Sequence, residues 1–107
     1  MQQYRRLSPE DERSWRLNEA ALDAAAVDWP IASARIRDHL ARLATNGSAS
    51  NALIERYQQL VDLGPSVLRA EVLALTDQGQ ALRSLHPLAG LVEPKLRYKI
   101  IREVPLR

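Results

Sequence analysis

The chain reads as a mainly α-helical domain with a minor β component: three to four helices and a short sheet. Three observations point there. Apolar residues recur at helical spacing over 9–27, 31–44 and 51–63. The stretch Val67–Leu75 is rich in Val and Leu, and Gly64-Pro65 separates it from the helical pattern before it. Residues 95–104 set Leu96, Tyr98 and Ile100 in alternation with Arg97 and Lys99, the pattern of a half-buried strand with one basic face.

The first helix is expected from about Pro9 to about Val27. Ser8 can cap it, Pro9 suits the first helical position, and Glu10, Asp11 and Glu12 favour the positive end of its dipole. Pro30 disfavours helical geometry at Trp29 and so closes it. This helix carries two apolar stripes. Leu17, Ala21 and Ala24 form one; Trp15, Leu22 and Ala26 form another, roughly opposite. A surface helix needs one stripe, so the second calls for a further partner. Either Trp15, Leu22 and Ala26 make a homodimer, or the helix is sandwiched inside its own domain.

The second helix is expected over Ile31–Ala44, with Ile36, Leu40 and Leu43 inward and Arg35, Asp38 and Arg42 on the other side. Asn46-Gly47 breaks it, and Ser48 or Ser50 caps the third helix. That helix aligns Leu53, Ile54, Tyr57, Leu60 and Val61 on one face. Gly64 suits a left-handed C-cap and Pro65 forbids continuation. Val67–Leu75 is then expected as a strand, although the helical alternative would align Leu68, Val72 and Leu75. Thr76 starts a last helix near Asp77 that holds Ala81, Leu82 and Leu85. Pro87 bends or ends it, and 88–92 can add a turn.

Composition narrows the function. The 107 residues, 46% of them hydrophobic, fit one domain with one modest core. There is no Phe, so that core draws on Leu, Ile, Val and Ala with Trp15, Trp29 and three Tyr. Cys is absent, which removes disulfides, thiolate metal sites and a Cys nucleophile together. No apolar run approaches the ~20 residues that span a bilayer. Met1–Arg6 is polar with no apolar run behind it, so a cytoplasmic protein is the expectation.

Charge is uneven. Residues 1–30 carry four Arg against six carboxylates, net −2, whereas 93–107 carry five cations against two carboxylates, net +3. Both lysines lie in that basic end, which a polyanion would favour.

Catalytic chemistry finds little to use. His39 and His86 are the only histidines, and neither sits at ligand spacing such as H-E-x-x-H. There is no Gly-rich phosphate loop and no Ser in G-x-S-x-G. The expectation is no enzyme, no metal and no cofactor. One aromatic residue, Tyr98, beside a short basic segment is also too little for membrane binding.

The run 51-NALIERYQQLVDLG-64, then 65-PSVLRAEVLA-74, then 75-LTDQGQAL-82 carries the remaining signal. A helix ending in L-x-x-L-G, an extended segment and L-T-x-x-G-x-x-L resemble the later part of a winged helix-turn-helix of the MarR and PadR type, over roughly residues 31–85. The matching residues are Leu60, Leu63, Gly64, Leu75, Thr76, Gly79 and Leu82. The resemblance implies a winged-helix-like domain of three to four helices with a short sheet, in which Thr76 caps the helix after the wing and Gly79 permits close packing. It divides the single domain, 1–107, into an N-terminal helix over 1–29, a helix-turn-helix-like core over 31–85 and a basic strand or tail over 93–107.

The function implied is a small, dimeric DNA-binding regulator. Its third helix would enter the major groove of double-stranded DNA while the second crosses the backbone. Asn51, Arg56 and Gln59 are then the base-edge candidates and Arg35 and Arg42 the phosphate candidates. Val67–Ala74 lacks a turn residue for a wing tip, so 95–104 would supply the second wing strand and bring Lys95, Arg97 and Lys99 to the groove. Glu55 and Asp62 on the outer face of the third helix are unfavourable towards phosphate. They fit better the rival class, a helical protein–protein interaction module with no nucleic-acid role.

Overall fold

The computed structural model describes residues 8–47, 49–85 and 94–103. Six helices are described: α1 (Pro9–Val27), α2 (Trp29–Asn46), α3 (Asn51–Leu63), α4 (Pro65–Val72), α5 (Asp77–Ser84) and α6 (Pro94–Glu103). Ser48, His86, Pro87 and the 88–92 turn lie outside the described residues.

The first three helices follow local signals. Ser8 Oγ accepts the Asp11 N–H at 3.2 Å, and three carboxylates occupy the first turn of α1. One residue, Asp28, separates α1 from α2, and Pro30 sits in the first turn of α2, where a missing N–H costs nothing. Gly47, at φ 64°, takes the left-handed cap that ends α2. Ser50 Oγ accepts the Leu53 N–H at the start of α3.

No strand occurs among the described residues, so the expected short sheet, and with it the winged-helix architecture, is overturned. Both expected strands are helices. Pro65, read as a stop, is the first residue of α4, where its fixed φ is already helical. Gly64 makes this abrupt restart feasible. Its φ of 107° and ψ of 171° lie in a region open essentially to glycine alone, so one residue redirects the chain between α3 and α4. The i, i+4 pair Leu68 and Val72 is then fully buried. With 67–72 helical, a strand at 95–104 would have no partner for its backbone groups. A helix satisfies them internally, and residues 94–103 form α6.

Helix α1 packs against α2, α4, α5 and α6, while α4 lies against α1, α3 and α5. The core gathers Leu22 of α1, Ile36 and Leu40 of α2, Tyr57 and Leu60 of α3, Leu68 and Val72 of α4, and Leu82 of α5. This places the second apolar stripe of α1. Leu22 is 3% exposed in the protein's own core, Trp15 is half-buried and Ala26 is exposed. Leu22 is thus covered by its own domain, and a dimer contact through it would require opening that core.

The C-terminal end of α4 is held by long side chains. Trp15 Nε1 donates to the Leu73 carbonyl at 2.9 Å, and Arg83 Nη1 donates to the carbonyls of Val72 and Ala74, both at 2.8 Å. Arg83 is buried, yet its charge meets the carbonyl-rich negative end of a helix. Thr76 Oγ1 accepts the Gly79 N–H at 3.1 Å and starts α5. A Cβ on Gly79 would overlap the Ala74 carbonyl oxygen, so the α4–α5 turn needs glycine there. Thr76 and Gly79 thus serve as cap and close contact in a helix–turn–helix corner that has no wing. None of the helices described is long and apolar enough to cross a membrane.

Candidate nucleic-acid-binding face

Helix α6 regroups the basic residues of the C-terminal segment. A strand would have put Lys95, Arg97 and Lys99 on one face. In a helix, a step of two residues turns about 200° around the axis, so Arg97 leaves that face. Lys95, Tyr98, Lys99 and Arg102 follow the i, i+3, i+4, i+7 spacing of one stripe instead, and all four are exposed. Tyr98 is 70% exposed. Pro94, Lys95, Tyr98 and Arg102 together line a shallow depression on this side. At a period of 3.6 rather than 2, the sequence itself assigns Tyr98 and Arg102 to this stripe.

The opposite side of α6 is fastened to α1. Ile100 is buried, and it lines a groove with Leu96, Trp15 and Ala20. Arg13 Nη2 donates to the Ile101 carbonyl at 3.2 Å, and Arg16 Nη1 meets Glu103 Oε2 at 3.1 Å. These contacts fix which side of α6 faces out. The Lys99–Glu103 pair, 3.9 Å apart on the surface, does little to neutralise the stripe. Lys95, Arg97 and Arg102 make no ion pair among the described residues.

The other expected contacts lie on α2 and α3. Arg35 and Arg42 are exposed on α2, seven residues apart and so on one side, with the exposed Asp38 between them. Asn51 and Gln59 are exposed on α3, and Arg56 is half-buried. The surrounding surface of α3 is acidic: Glu55 is exposed, and Asp62 is engaged by Arg37 of α2 at 2.6 Å. That ion pair ties α2 to α3 and uses a cation that could otherwise have faced phosphate. Helices α2 and α3 pack on each other, whereas α6 packs on α1, so the structure does not merge the two groups into the single groove-facing surface that a wing would have made.

Two further polar groups are internal. Arg83 caps α4 as described. The Tyr57 hydroxyl is buried without a hydrogen-bond partner among the described residues, and burial pushes its pKa well above the usual tyrosine range. Among the described residues no three His, Cys, Asp or Glu side chains gather as a metal site. His39 is half-buried on α2. No family model, no curated protein and no solved structure matches this chain.

Proposed function

We propose that this is a small nucleic-acid-binding protein that docks DNA electrostatically through the exposed face of α6. The observation that supports this reading is the convergence of Lys95, Lys99 and Arg102 on one solvent-facing stripe of a helix whose other side is anchored. Phosphate contacts of this kind supply affinity and orientation without reading bases. In this reading α3 is not the recognition helix, because its outward carboxylates repel phosphate and Arg37 is engaged by Asp62.

The test is the mobility of a random DNA duplex in the presence of the full chain at low and moderate salt. Retardation is expected at low salt. The logarithm of affinity should fall against the logarithm of salt with a slope of about −3, for three neutralised phosphates. Lys95→Ala/Lys99→Ala/Arg102→Ala should abolish the retardation and Arg56→Ala should leave it. No retardation at low salt removes the proposal, and loss with Arg56→Ala alone moves the contact to α3.

A second reading, a protein–protein interaction module, is favoured by Val27, Ile31 and Leu63, which are 87%, 56% and 64% exposed. Single exposed apolar residues are ordinary, but three this large near helix ends suit a contact surface. Its simplest form is self-association, tested by solution mass against concentration.

A further inference from the structure

We infer that the nucleic acid taken by α6 is single-stranded, with one base stacked on Tyr98 and neighbouring phosphates held by Lys95, Lys99 and Arg102. This rests on the α6 docking reading and specifies its ligand.

Four observations carry it. Among the described aromatic residues, Trp15 and Trp29 are half-buried and Tyr57 is buried, while Tyr98 alone is exposed. It makes no hydrogen bond among the described residues. Its neighbours along the stripe are cations: Lys95 one turn before, Lys99 beside it and Arg102 one turn after, spread over about 10 Å of helix. The depression lined by Pro94, Lys95, Tyr98 and Arg102 leaves room against this side of the helix for a flat ring.

A base in a duplex has both faces covered by its neighbours, so an exposed tyrosine has nothing to stack on unless the helix is opened. A single strand presents free base faces, and an aromatic ring set among cations meets both its base and its backbone. Stacking is tolerant of sequence because every base has a π-face, so this mode of binding needs no side chain aimed at base edges. A membrane surface would also attract these cations. It would in addition need a broad apolar face to insert, whereas on α6 Ile100 is buried and Leu96, 41% exposed, lines the groove with Trp15 and Ala20 of α1.

The experiment compares the full-length chain on labelled oligothymidine and on a labelled duplex of equal length, by fluorescence anisotropy at low salt. Oligothymidine is expected to bind about 10-fold more tightly, the scale of one base stack. Tyr98→Ala should bring single-strand affinity down to the duplex value and leave the duplex value unchanged, while Tyr98→Phe keeps the preference. Tyr98 is exposed, so circular dichroism should show the fold intact. Equal affinity for both forms in the parent chain overturns the inference and leaves α6 docking standing, as does an equal loss on both with Tyr98→Ala. Binding to neither form overturns both. Co-sedimentation with phosphatidylserine-containing vesicles, without oligonucleotide binding, assigns the face to a membrane surface and also overturns both.

Discussion

Tyr57 shows how one residue can be right for packing and wrong for polarity. The period of α3 places it inward with Ile54, Leu60 and Val61, and it is fully buried. Its ring fills volume that a chain without Phe must find elsewhere. Its hydroxyl, however, has no hydrogen-bond partner among the described residues. Removing a buried, unsatisfied hydroxyl should help, so Tyr57→Phe is expected to raise stability by about 1 kcal/mol. The pH dependence has a definite sign. Burial raises the pKa of Tyr57 above the unfolded value near 10, so the folded chain keeps a proton that the unfolded chain releases. The associated stability is complete below pH ~10 and is lost as pH rises above it. Urea unfolding at pH ~8 and pH ~11 should therefore show a larger loss for the parent chain than for Tyr57→Phe. An equal loss in both would mean that the hydroxyl is hydrated or bonded in solution.

At the scale of elements, caps were legible and the choice between strand and short helix was not. Ser8, Ser50 and Thr76 each accept a backbone N–H three residues on, a relation carried entirely by local sequence. Residues 67–75 and 95–104 are different. A run of Val and Leu, or a short alternation, fits either periodicity, and what decides is whether a neighbouring strand exists. Here Pro65 begins a helix that Leu68 and Val72 anchor, and α6 is left to pair its backbone with itself. Only Ile100 of α6 is buried, so the attachment of this helix is local. Ile100→Ala should lose about 2 kcal/mol of that attachment. Amide exchange over 94–103 should accelerate roughly 30-fold while α3 is unaffected. Uniform acceleration across the chain would instead place α6 within the global unfolding unit.

For the molecule as a whole, the surface divides by character. Acidic groups lie on α1 and α3, with Asp23 and Glu19 of α1 engaged by Arg69 of α4 and Asp62 engaged by Arg37. On α6, Lys95, Arg97 and Arg102 make no ion pair among the described residues. The exposed Val27, Ile31 and Leu63 lie at or near the helix ends around the α1–α2 and α3–α4 junctions. If they make a self-contact, light scattering should give the 12.1 kDa chain mass when dilute and twice that when concentrated. Val27→Asp/Leu63→Asp should then hold the mass at one chain. A single-chain mass at every concentration would exclude self-association and leave these residues as ordinary exposed apolar side chains.

The caps at Ser8, Ser50 and Thr76 and the inward faces of α2, α3 and α5 were written into the chain, because capping and 3.6-residue periodicity act within a few residues. The excess of cations near the C-terminus was legible in the same way. Which of those cations share a face was not, since that depends on strand or helix, and therefore on partners distant in sequence. The destination of the second stripe of α1 was equally non-local: Leu22 is covered only in the assembled core, and the indole N–H of Trp15 needs the Leu73 carbonyl at the end of α4. Burial is a property of the assembled helices. Only their packing turned an alternating basic segment into a helical stripe around Tyr98.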